Sequence, residues 1–141
     1  MESSRKRSNS KTTAKIYLTW DSYNTYIDDL CSQIKSSKKK FDYIYGIPRG
    51  GMILAGILAH KLGIEKNKIS PSLTDILFDD DLNCLIIDDI IDTGKTFDSI
   101  INAYTVNFYF ATLFKHKKCK MEPDFYVAEN DRWIVFPYEK G

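Results

Sequence analysis

A chain of 141 residues, 43% apolar and 28% charged, has the length and composition of one soluble globular domain built around a single core. Its twenty lysines and arginines nearly cancel nineteen acids, and the net charge of +1 gives no bulk attraction to nucleic acid or to an anionic membrane. The longest apolar run, Met52 to Ala59, is too short to cross a bilayer and no apolar signal segment follows the first residues, so a soluble cytoplasmic protein is expected. Cys31, Cys84 and Cys119 are odd in number and lack metal-ligand spacing, which predicts reduced thiols.

Residues 1 to 15 hold Arg5, Lys6, Arg7, Lys11 and Lys15 against Glu2, a charge of +4 that leaves the rest of the chain at −3. Residues 1 to 13 have almost nothing to bury and are expected to form a disordered basic tail, with the folded domain spanning 14 to 141. Three consecutive basic residues read as a solvated tail rather than as a nucleic-acid contact. From Ser22, the residues Tyr23, Tyr26, Ile27, Leu30 and Ile34 recur at helical spacing behind Asp21 as the expected cap. Phe41 to Ile47 is aromatic and β-branched and predicts a strand, stopped by Pro48 and two glycines. Met52 to Leu62 predicts a helix ended at Gly63. A short strand is placed at Lys68 to Ser70, followed by a strand over Asn83 to Asp88, a helix over Thr96 to Tyr104 and a strand over Val106 to Phe114. Phe125 to Ala128 and Trp133 to Phe136 read as two further short strands. Strands alternating with helices predict a parallel α/β sheet that binds ligands beyond its carboxyl edge.

The most informative segment is Cys84 to Ile100. A buried apolar run ends in Asp88 and Asp89, and Asp92, Thr93, Gly94, Lys95 and Thr96 then open a helix whose first N–H groups attract an anion. Adjacent carboxylates repel each other, which a cation or a polyhydroxyl ligand relieves. A sugar phosphate suits both halves, with hydroxyls on the acids and phosphate on the loop. The tripeptide Gly94-Lys95-Thr96 is not a triphosphate-binding P-loop, because the glycine that motif requires five residues earlier is Asp89 here. A receiver-like signalling domain would also use a strand-end acidic pair, but it leaves Arg49-Gly50-Gly51 and Trp133 without a role.

Two acids, two hydrophobics and then Asp-Thr-Gly-Lys-Thr resemble the phosphoribosyl pyrophosphate motif of the type I phosphoribosyltransferases. Thr19-Trp20-Asp21, Pro48-Arg49-Gly50-Gly51 and Trp133 to Glu139 extend the resemblance over most of the chain, towards the xanthine-guanine and hypoxanthine branch. The resemblance implies a Rossmann-like parallel sheet flanked by helices, with a small hood from the chain termini and pairing of subunits into a homo-oligomer. It implies transfer of the phosphoribosyl group to a 6-oxopurine (guanine, hypoxanthine or xanthine) with release of pyrophosphate. A non-catalytic member that binds the same ligands is the alternative.

The resemblance also assigns residues. Asp88 and Asp89 would hold ribose hydroxyls and Mg²⁺, a hard cation that prefers oxygen ligands. Asp92, Thr93, Gly94, Lys95 and Thr96 would wrap the 5′-phosphate, with Asp92 also the general base towards the purine N7 proton. Arg49 and Gly50 would meet the pyrophosphate, Trp133 would stack on the base, and Ile134 would line its site. In place of the family's lysine near the 6-oxo group stands His116, flanked by Lys115 and Lys117. The family's long mobile loop is reduced to residues 71 to 81, short, acidic and without a basic residue, from which incomplete closure and reduced turnover are expected.

Overall fold

A computed structural model of the protein describes residues 14–76, 81–104 and 107–140. The expected basic tail, residues 77–80 of the acidic connection and the first residue of the strand placed from Val106 lie outside the described residues. In chain order the elements are β1 (Ile16–Tyr17), α1 (Trp20–Ser36), β2 (Tyr43–Gly46), α2 (Gly50–Leu62), β3 (Asn83–Ile91), α3 (Lys95–Ala103), β4 (Asn107–His116), β5 (Phe125–Asn130) and β6 (Ile134–Val135), with short 3₁₀ turns at Lys66–Lys68 and Leu73–Ile76.

The main sheet runs β2-β3-β4-β5 with every pairing parallel. Alternation along β3 sorts its side chains between two layers. Leu85 and Ile87 face the core shared with α1 and α2, around Tyr23, Leu30, Ile44, Leu54 and Leu58, whereas Cys84 and Ile86 face α3 through Phe97 and Ile100. All three cysteines are buried and free.

Several sequence expectations shift for identifiable reasons. Thr19, not Asp21, caps α1: it is extended and its Oγ1 accepts the Ser22 N–H at 3.0 Å. The strand placed at Lys68 to Ser70 contracts to a single bridge between Ile69 and Ile44, because a 3₁₀ turn takes up Lys66–Lys68. β3 and β4 run past their expected ends because they pair with each other as far as Ile91 and Lys115. The strand foreseen at Trp133 to Phe136 shortens to Ile134–Val135 and leaves the main sheet, pairing in parallel with β1, which carries no periodic signal of its own. That two-stranded unit is the hood. It is tied to the core by Tyr23, which meets Phe136 and Tyr138 edge-on, and by the stack of Phe136 on Tyr138.

Candidate active site

The acidic pair begins where one neighbouring strand stops. β2 pairs only as far as Gly46 opposite Ile87, so Asp88 and Asp89 emerge past its end while β4 still supports them from the other side. The two adjacent carboxylates stay close enough to act on each other, and each also lines a cavity that the other does not. Asp88 lines a cavity of about 210 Å³ together with residues of the loop Asp92 to Thr96. Asp89 meets the hood, where its Oδ2 accepts the Tyr138 hydroxyl at 2.8 Å. Burial first, and then the charge of Asp89, push the Asp88 carboxyl up to about 8, although its Oδ1 accepts the Asp89 N–H at 2.9 Å. Burial and the charge of Asp89 also raise the Tyr138 phenol, which keeps it a donor.

Asp92 to Gly94, expected from the sequence to hold phosphate with Lys95 and Thr96, form a turn into α3. Gly94 has φ +84°, and a methyl added there would also press on the Met121 Cβ at 2.9 Å, so both the turn and its packing exclude a side chain. No side chain caps α3, and Thr93 Oγ1 accepts the Lys95 N–H at 3.3 Å. The start of the helix therefore opens onto the cavity beside Asp88.

On the other side of the pair, Arg49 and Gly50 line a cavity of about 780 Å³ with Asp88, Asp89 and Tyr138. The Pro48–Arg49 peptide bond is cis. Gly50 has no room for a Cβ, because the Asp89 carboxylate occupies the space and the Tyr138 hydroxyl stands 2.6 Å from the position it would take.

A third cavity, about 350 Å³, lies under the hood and is lined by Asp89, Asp92, His116, Trp133, Ile134 and other residues of the segment from Asn130 to Glu139. Trp133 is 70% exposed, a ring held at the cavity wall rather than in the core, and Ile134 is buried behind it. The three basic residues set side by side in the sequence part company here. Lys115 is buried, with its ammonium turned to Glu122 at 3.8 Å and Glu129 at 3.7 Å, because successive residues of β4 face opposite ways. Lys117 is exposed past the strand end, its N–H bonded to the Asn130 carbonyl. His116 alone of the three lines the cavity. Its Nδ1 accepts the Lys118 N–H at 3.1 Å, which assigns the ring proton of the neutral imidazole to Nε2.

Tyr138 is the site residue that the sequence reading left without a role. It stands in the C-terminal stretch already singled out, but its bond to Asp89 spans 49 residues and has no local signature.

Comparison with profiles of known families returns no match. Among solved structures, the chain is similar to a purine phosphoribosyltransferase from Pyrococcus horikoshii at 30% identity and a TM-score of 0.72, over 90% of this chain and 95% of that one. A Helicobacter pylori xanthine-guanine-hypoxanthine phosphoribosyltransferase shares the fold at 18% identity and a TM-score of 0.73, over 87% and 92% of the two chains. So does a Neisseria gonorrhoeae protein crystallised with bound ppGpp, at 21% identity and 0.74, over 91% and 90%. The chain belongs to the type I phosphoribosyltransferase family.

Proposed function

We propose that this protein transfers the 5-phosphoribosyl group from phosphoribosyl pyrophosphate to a 6-oxopurine, giving the nucleoside monophosphate and pyrophosphate. The observation that carries this reading is the meeting of three cavities at the acidic pair. Asp88 is shared by the loop cavity and the Arg49 cavity, Asp89 by the Arg49 cavity and the hood cavity, and Asp92 by the loop and hood cavities. A substrate with a 5′-phosphate, a leaving pyrophosphate and an incoming base around one ribose has that three-way form.

The residues take their roles from this arrangement. Asp92 to Thr96 hold the 5′-phosphate on backbone N–H groups and hydroxyls, and Arg49 meets the pyrophosphate as a charge-assisted donor. Asp88 and Asp89 receive the ribose hydroxyls. They also fit a divalent cation, since burial makes Asp88 resist ionisation without a positive neighbour. Among the described residues no group of three or more metal-ligating side chains exists, which suits Mg²⁺ held by two carboxylates with substrate oxygens completing its shell. Bound Mg²⁺ would neutralise charge developing on the pyrophosphate. Asp92, on the wall shared with the base cavity, takes the purine N7 proton as the C1–N bond forms.

Base choice follows from His116. With Nδ1 engaged by Lys118, Nε2–H is a fixed donor that pairs with a 6-oxo group and leaves the 6-amino group of adenine unsatisfied. Trp133 supplies the stacking face. Free buried cysteines support action in the cytoplasm. The test is product formation from phosphoribosyl pyrophosphate and Mg²⁺ with guanine, hypoxanthine, xanthine or adenine in turn. Adenine used as well as guanine would overturn the base assignment.

A second reading, ligand binding without turnover, is favoured by the acidic segment of residues 71 to 81, which has no cation to meet the leaving charge. Tight binding of phosphoribosyl pyrophosphate by calorimetry, with no nucleotide formed from any base, would select it.

A further inference from the structure

The amino-terminal end of the sheet, opposite the acidic pair, carries a groove of about 620 Å³ between the C-termini of α1 and α2. Five lysines line it, Lys35, Lys38, Lys39, Lys40 and Lys68, against two acids, Asp42 and Glu65. Asp42 is already engaged, its Oδ2 accepting the Asn83 N–H at 2.9 Å. Among the described residues none of the five lysines forms an ion pair, in contrast to Lys61 with Asp28 and Lys115 with Glu122 and Glu129. This cationic cluster stands on a body whose charge beyond residue 15 is −3. A lysine at a helix C-terminus is ordinary, but only Lys35 lies in the last turn of α1. Lys38, with φ +60°, turns the chain out of the helix and carries Lys39 and Lys40 onward along the sheet edge.

Aromatic rings on the two faces of the sheet stand beside two of these cations. Lys39 Nζ sits 4.7 Å from the centre of the Tyr109 ring, which Phe41 meets edge-on, and Lys68 Nζ sits 5.0 Å from the centre of the Tyr43 ring. Two helix C-termini border the groove, and their carbonyls repel phosphate, so a compact anion has no backbone cradle here. Flexible cations strung along an edge, two of them beside a ring, suit a ligand with phosphates at intervals and unpaired bases between them.

We infer that this edge binds single-stranded nucleic acid, with Lys38, Lys39, Lys40 and Lys68 on the phosphates and Tyr109 and Tyr43 as stacking faces. A base replaces the lysine on a ring as the ammonium moves to a phosphate. The site is separate from the carboxyl-edge cavities, so nucleic acid and transferase substrates bind together.

The test is fluorescence anisotropy of the full-length chain with a labelled twelve-nucleotide oligouridylate over a series of salt concentrations. Micromolar binding at low salt is expected, unchanged by saturating phosphoribosyl pyrophosphate and Mg²⁺. Changing Lys38, Lys39 and Lys40 together to Gln should weaken binding at least about tenfold and flatten the log–log salt slope by about 2, at roughly 0.7 for each phosphate no longer neutralised. Circular dichroism serves as the fold control. A second variant with Arg5, Lys6 and Arg7 changed to Gln should retain most of the affinity. Loss confined to that variant, an abasic oligomer or inorganic polyphosphate binding as tightly per charge, competition by phosphoribosyl pyrophosphate, or no binding at low salt would each overturn the assignment.

Discussion

The two ends of the parallel sheet handle charge in opposite ways. At the carboxyl edge, Asp88 and Asp89 are drawn together, half-buried and braced by Tyr138, Gly50 and the loop into α3. At the amino edge, five lysines without carboxylate partners among the described residues spread over an open rim. Converged, desolvated groups bind little by themselves but respond strongly to one well-shaped ligand. Dispersed, hydrated groups attract many polyanions weakly. A single fold can carry both because β-strand ends are where side chains leave the core.

The sharpest way to break the contrast is at the acidic pair. Changing Asp88 and Asp89 together to Asn should lower kcat/KM about a thousandfold, the equivalent of several kcal/mol of lost charge stabilisation, and remove Mg²⁺-dependent binding of phosphoribosyl pyrophosphate. Calorimetry on a variant with unchanged circular dichroism reads this directly. Unchanged affinity would remove the acids from the site.

Gly50→Ala probes the packing that holds the pair. A Cβ there meets the Asp89 carboxylate and the Tyr138 hydroxyl, so overpacking should cost about 1–3 kcal/mol of stability and impair pyrophosphate binding more than base binding. Urea midpoints and product-inhibition constants measure the two effects. Trp133→Ala should lose roughly 1–3 kcal/mol of base affinity with little change in stability, because the ring is already 70% exposed. A large drop in urea midpoint would instead make it a structural residue.

A different kind of test concerns pH. The folded state holds the Asp88 proton up to about 8, whereas the unfolded chain releases it near the ordinary value of 3.8. Its contribution is thus fully present below that lower value and is lost as pH rises through the upper one. Urea midpoints should decline from pH 5 to pH 8.5, less steeply in Asp88→Asn. Equal slopes would show that Asp88 is not the group responsible.

The acidic motif, the glycine turn into α3 and the parallel sheet were legible because each is written in consecutive residues: an apolar run, two acids, a glycine before a helix. Less could be read where the answer depended on distant partners. β1 is two residues long, too short for any period, and exists only by pairing with β6, which was foreseen as a strand but not as one outside the main sheet. Among Lys115, His116 and Lys117, composition alone offered no choice, and the pleat of β4 made it by burying the first against Glu122 and Glu129. Tyr138 reaches Asp89 only because Phe136 and Tyr138 pack on Tyr23 at the start of α1.

The pairing of β1 with β6 has a consequence for how the molecule assembles. Ile16 and Ile134 lie near opposite ends of the described chain, so closing that contact costs more loop entropy than any pairing within the main sheet. The wall that carries Trp133 hangs from it. The acids and the turn into α3 both belong to β3, whose partners β2 and β4 are far nearer to it in sequence than β1 is to β6, so they can condense first. In refolding from denaturant, recognition of the sugar phosphate should therefore return before recognition of the purine.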